Sequence, residues 1–269
     1  MKKTSLLILL VLCLVSCSES KEKDADRFLQ LAIEAYNRGA YDVAREKIDS
    51  IRMRYPKALQ TRREAMNLRL KVDLAEGKQA VIQADQIISQ KQDLVERMKK
   101  KLVLEPMKGA AGNYVSPLQT LNKIGHNMLR VQVDERGLLT LTSIYCGKMN
   151  HRAVKVSAGG KSVQTPTSKA FFESECDGKK LEEVVFSQDH EVGICAFISQ
   201  HIGQPIELTY IASNKSQTVT LQPQDVQAIS AMYDFYLQLK VLNDARVHYA
   251  DACEKVKFIN QRIEESGVK

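Results

Sequence analysis

Three hydrophobic rhythms follow one another along the chain. After Lys2 and Lys3, residues 6–15 are an unbroken apolar run of ten. A helix needs about 20 residues to cross a bilayer, so the run fits the core of a secretory signal peptide, residues 1–16. Residues 18–24 hold no apolar side chain, and residues 17–25 are expected to be a solvated tether. From 26 to 104 apolar positions recur at three and four, the spacing of amphipathic helices. From 128 to 222 they alternate in short runs between turn residues, as strands do. From 223 to 265 the helical spacing returns, opened by Pro223, a residue suited to a first helical turn. Residues 105–127, rich in Gly, Pro and Asn at "EPMKGAAGNYVSP", are expected to be a linker.

The first helical segment carries a finer pattern. Ala32, Ala35, Gly39, Tyr41, Ala44, Ile48, Ile51 and Pro56 stand at offsets 0, 3, 7, 9, 12, 16, 19 and 24. That spacing resembles a tetratricopeptide repeat, whose small residues let two antiparallel helices approach closely. The likeness covers one unit, because Lys78 stands where the packing alanine of a second would fall. The expected elements are a helical hairpin over 26–55, a third helix over 57–74 and a long helix over 78–102. Val81, Ala84, Ile87 or Ile88, Val95 and Met98 form the apolar stripe of that long helix. The helix over 223–263 has a broad apolar face and needs a partner. The helix before the strands is the natural one, pairing antiparallel with it as a stalk.

The β segment divides at Glu135-Arg136-Gly137, at Gly159-Gly160 and at Asp177-Gly178, the last two being hairpin signals. Roughly eight strands result, "EVGICAFIS" among them. The expected fold is α+β: N-terminal helical hairpins, and an antiparallel β-sandwich or barrel inserted between two long paired helices.

The end of the apolar leader narrows the address. Leu14-Val15-Ser16 precede Cys17 and resemble the lipobox of bacterial lipoproteins. Leu12 precedes Cys13, and its bulk does not fit. The resemblance implies that Cys17 becomes the acylated first residue of a mature chain of 253 residues, carrying palmitate-like chains. Several chains on one cysteine make a stable anchor where one does not. With its repeat-like helices and β domain, the chain resembles envelope lipoproteins of the Bacteroidetes type. That implies an outer-membrane lipoprotein, on the periplasmic or the surface face.

Charge changes this picture little. The chain has a formal charge of +7, or +5 without Lys2 and Lys3, and its 26% charged residues are mixed in sign. An ordinary solvated surface accounts for that, and no nucleic-acid partner is expected. Arg97, Lys99, Lys100 and Lys101 crowd one helix end, where they complement the helix dipole. Four cysteines follow Cys17: Cys146, Cys176, Cys195 and Cys253. They have no C-x-x-C spacing and read as small buried residues, with a Cys146–Cys195 or Cys146–Cys176 bridge open to them.

Candidate chemistry is sparse. "SAGGKS" at 157–162 ends like a phosphate loop, but Lys155 replaces its leading glycine, so no nucleotide is expected. His126, His151, His190 and His201 lack metal-site spacing. No G-x-S-x-G elbow occurs. No cofactor, metal or catalytic residue is expected, and the chain reads as a non-enzymatic, membrane-tethered binding or scaffolding protein with a protein partner in the envelope. Tyr36, Asn37, Arg38 and Tyr41, beside the hairpin turn, are the candidate partner contacts. The alternative is a carbohydrate-binding or hydrolytic lipoprotein acting through a β-domain patch that joins His151, Glu173 and Glu175.

Overall fold

The computed structural model describes residues 22–107, 110–176, 178–187, 189–191 and 193–267. Cys17, the leader and most of the tether lie outside the described residues. The chain is α+β and divides into two compact units, one of residues up to 86 together with those from 246 onward, the other of residues 87–245.

The first unit is helical. α1 is described over residues 22–37, α2 spans Tyr41–Arg54, α3 spans Leu59–Lys99 and α5 spans Pro223–Ser266, the last two running into both units. Ala32 and Ala35 of α1 and Ala44 and Ile51 of α2 are fully buried against Ala65, Leu68 and Val72 of α3. Small side chains let these helices approach closely. Thr61 Oγ1 donates to Asp26 Oδ1 at 2.7 Å, tying the start of α3 to α1. Gly77, Val81 and Ala84 of α3 are buried or half-buried, and so are Ala252, Val256, Ile259 and Ile263 of α5, with Cys253 half-buried beside them. Both series step by three and four, the spacing of a coiled-coil seam. A Cβ at Gly77 would stand 2.8 Å from Val256 Cγ2, so glycine is what the close approach of the helices demands.

The second unit holds two antiparallel sheets. β1 (Val103–Met107), β2 (Ala110–Val115), β3 (Met128–Asp134), β4 (Leu139–Cys146), β8 (Lys179–Ser187) and β7 (Phe171–Cys176) make a six-stranded sheet in the order β1-β2-β3-β4-β8-β7. β10 (Ser216–Thr220), β9 (Glu207–Ile211), β5 (Ala153–Ala158) and β6 (Lys161–Gln164) make a four-stranded sheet in the order β10-β9-β5-β6. β5 and β6 turn at Gly159 and Gly160, with φ of 56° and 76°, the left-handed pair of a tight hairpin. Inner-face residues of both sheets share one core with Val95 of α3, Ile194 and Ile198 of α4 (Ile194–Gln200), and Ile229, Phe235 and Leu239 of α5. Tyr114 meets Phe235 edge-on at 5.3 Å between ring centroids.

Three expectations need correction. The expected linker over 105–127 contains the end of β1 and all of β2. Its Pro106 is tolerated because β1 is an edge strand, where a missing N–H costs no ladder bond. "EVGICAFIS" contains α4, not a strand. The Glu191 carboxylate accepts from the N–H groups of Gly193 and Cys195 and caps that helix, while Ile194, Cys195 and Ile198 face the core. The break expected between helices near residue 75 is absent, since α3 runs 41 residues without interruption.

Candidate functional site

The hairpin turn of the helical unit gathers the four candidate contacts. α1 ends where Gly39 N donates to Tyr36 O and Ala40 N to Ala35 O, each at 2.9 Å. The turn brings the rings of Tyr36 and Tyr41 to 6.1 Å between centroids. Both tyrosines are half-buried, and Asn37 and Arg38 are exposed beside them. Next to the turn lies a groove of about 580 Å3 between residues 39–43 and Glu76, Gln79, Ala80 and Gln83 of α3. Of the four candidates, Tyr41 alone lines it. One wall carries carboxylate and amide groups, and the opposite wall carries the small Gly39 and Ala40 with Val43, which is 42% exposed. Arg45 is held near that wall by ion pairs to Glu76 and Asp73. Such a groove offers both apolar contact and hydrogen-bonding groups.

In the β unit the expected His151–Glu173–Glu175 patch is not formed. Glu173 and Glu175 are exposed on β7 and line a depression of about 300 Å3 with Lys148, Lys180 and Glu182. His151 lies behind it, at zero exposure. Glu182 stands between the two, opposite Glu173 in the β7–β8 register. Its carboxylate accepts from Met149 N at 2.5 Å, Asn150 N at 2.7 Å and His151 N at 3.3 Å. His151 Nδ1 lies 3.0 Å from Glu182 Oε2, and His151 Nε2 lies 3.0 Å from Ser143 Oγ.

Electrostatics settles the protons in this line. Burial lowers the His151 pKa, against the opposing pull of Glu182. The imidazole is therefore neutral at pH 7. Nδ1–H donates to Glu182, and Ser143 Oγ–H donates to Nε2. Burial pushes the Glu182 carboxyl upward, but the amide of Asn150 together with His151 and Met149 holds it below its ordinary value. Serine, imidazole and carboxylate thus stand in the order used for acyl transfer. Ser143 and His151 are both at zero exposure, however, and the imidazole meets the Tyr210 ring at 5.2 Å. In this conformation no substrate atom reaches Ser143 Oγ. What the line does is hold the turn at 147–151, where Asn150 takes a φ of 60°, against β8.

A second buried carboxylate, Asp225, accepts from Gln119 Nε2 at 3.1 Å and pairs with His126 Nε2 at 2.7 Å. His190 contacts Ser187 Oγ, and His201 contacts Phe197 O. Among the described residues no group of three or more His, Cys, Asp or Glu could hold a metal ion. Cys195 and Cys253 are thiols, so the Cys146–Cys195 bridge is not made; the side chain of Cys176 lies outside the described residues.

Sequence reading missed Ser143 and did not join Glu182, one of four carboxylates flanking the Asp177-Gly178 turn, to His151. Ser143 sits mid-strand in "LTLTSIYC", and Glu182 looks like one more solvated charge in "KKLEEVV". Their partner lies eight residues from one and 31 from the other, and no local motif links the three. Compared with models of known protein families, with curated proteins and with solved structures, the chain has no significant match.

Proposed function

We propose that this protein is a binding or scaffolding lipoprotein of a bacterial cell envelope, tethered to the membrane through acylated Cys17 and without catalytic activity of its own. The groove beside the hairpin turn carries the reading. It is accessible and mixed in polarity, and Tyr41 is part of its wall, with Tyr36 against Tyr41 and exposed Asn37 and Arg38 on the same turn. The zero exposure of Ala32, Ala35 and Ala44 supports the tetratricopeptide-like character of the hairpin. The three-and-four spacing of covered positions on α3 and α5 supports their pairing as an antiparallel stalk, and the core shared by the two sheets supports a sandwich inserted in sequence between them. No described helix is long and apolar enough to cross a membrane, so the tether is the proposed attachment.

Cross-linking in intact cells followed by affinity capture tests this. The wild-type chain is expected to enrich a stoichiometric protein partner. Cys17→Ala should lose the partner with the membrane fraction, and the double variant Tyr36→Ala/Arg38→Ala should lose it while staying membrane-bound. Capture unchanged by the double variant would remove the turn as the binding surface.

One observation favours a second reading, a hydrolytic β unit: the Ser143–His151–Glu182 order. A serine-reactive fluorophosphonate probe separates the two. The scaffold reading expects no labelling at Ser143; labelling abolished by His151→Ala would favour the hydrolase.

A further inference from the structure

Four strands end the two sheets: β1 and β7 in one, β10 and β6 in the other. An open edge presents unpaired main-chain groups to any other strand, and proteins guard such edges with charge, proline, bulges or brevity. β1 carries Glu105 and Pro106, and its register shifts between Glu105 and Met107. β7 carries exposed Glu173 and Glu175. β6 is four residues long and begins with Lys161. β10, "SQTVT", holds no charge, proline or bulge within its five residues. It makes five consecutive pairs with β9, from Ser216↔Ile211 to Thr220↔Glu207, with no irregularity. Ser216, Gln217, Thr218 and Thr220 are exposed. Threonine and valine favour the extended backbone.

We propose that β10 is an interface between two copies of this chain, which pair antiparallel about a two-fold axis at Thr218 and join two four-stranded sheets into one of eight. The strand is complementary to itself in that register. Ser216 faces Thr220 of the second copy, Gln217 faces its Val219, and Thr218 faces its Thr218, so no charge opposes a like charge. Thr218 Oγ1 already lies 2.8 Å from Thr209 Oγ1 on β9. Pairing at the axis extends that contact into a ladder of four threonines across four strands, a favourable cross-strand arrangement. Five residue pairs bury less than the roughly 1,200–2,000 Å2 of a stable interface, so the contact is weak and concentration-dependent.

Cysteine trapping tests it in the full chain expressed in bacterial cells. On mild oxidation Thr218→Cys is expected to yield a covalent homodimer at least tenfold above wild type. Thr209→Cys, one strand inward on the same face, should stay at the wild-type level. In detergent, sedimentation of the wild-type chain should show a monomer–dimer equilibrium that Thr218→Lys weakens at least tenfold, with the circular dichroism spectrum unchanged. Equal trapping at both positions, a wild-type chain that stays monomeric at every concentration, or trapping of Thr218→Cys to a different polypeptide would each overturn the proposal. None of these readouts depends on the hairpin turn, so the result stands apart from that of the partner capture.

Discussion

In the helical unit Ala25, Ala32, Ala35 and Ala44 join Ile51 and Val72 at zero exposure, whereas in the β unit the fully buried residues include Tyr210, Phe186, Phe235, Ile194 and Ile198. Other large apolar side chains of the helical unit lie outside its core. Met53, Leu59, Met66, Ile82 and Phe258 are 58–72% exposed. One interior is filled by aromatic and branched side chains, each withdrawing much apolar area from water. The other sets alanines among Leu29, Ile48, Ile51, Leu68 and Val72, so that backbones come close together. The difference teaches that the β unit leans more on side-chain volume, while the helical unit combines aliphatic burial with the close fit of small residues.

The largest effect expected from breaking this contrast is in the β core. Phe186→Ala should cost about 3–5 kcal/mol, the usual range for deleting a buried aromatic ring, read as a fall in the urea midpoint. No alanine in the helical core can be truncated at such a cost. Next comes the Glu182 clamp. Glu182→Ala leaves three amides and His151 without their acceptor and should cost about 3 kcal/mol.

The same clamp gives the β unit a pH dependence. The folded His151 has a lowered pKa, so as pH falls through about 6.5 the unfolded chain takes the proton first. Its contribution to stability is whole above that pH and is lost as pH falls toward the folded value. Glu182, also lowered, adds a loss of the same sign at lower pH. Denaturation curves between pH 7 and 5 should therefore show falling stability, and His151→Gln should flatten that part of the profile.

Fit in the helical unit is tested at Gly77. Gly77→Leu should destabilise by about 1–3 kcal/mol through overpacking against Val256. With the contact relieved, Gly77→Ala in a Val256→Ala background should gain back about 1 kcal/mol of helix propensity relative to Val256→Ala alone. A double-mutant cycle followed by thermal melting reads this coupling. The smallest effect belongs to the surface. Arg69→Ala removes links to Asp49 and Asp73 and should change stability by about 0.5 kcal/mol, as partly exposed ion pairs do.

How far the fold was legible depended on whether its cause was local. The helical hairpin, the Gly159-Gly160 turn, the end of α2 before Pro56 and the start of α5 at Pro223 all follow from residues within a few positions of one another. α4 was misread because a short apolar run has no period long enough to separate helix from strand; the capping carboxylate of Glu191 decides it. β2 was hidden by its glycine and neighbouring prolines, and became a strand by pairing with β3. Gly77 falls in the gap expected between residues 74 and 78 and is a close contact with Val256.

The candidate sites divide the same way. Tyr36, Asn37, Arg38 and Tyr41 are neighbours in sequence, so one turn was bound to bring them together. His151 was grouped with Glu173 and Glu175, and the structure gives it other companions, Ser143 and Glu182. Its partners come from β4 and β8, adjacent strands separated in sequence by a whole hairpin and more. The amino-acid sequence by itself determined the helical and extended segments, most of the turns and the grouping at the hairpin, because propensity, capping and period act over a few residues. Only the tertiary structure decided the sheet order, the open edge at β10 and the burial of Ser143, His151 and Glu182. Those depend on which distant strands pair and on whether water can reach a side chain once they have.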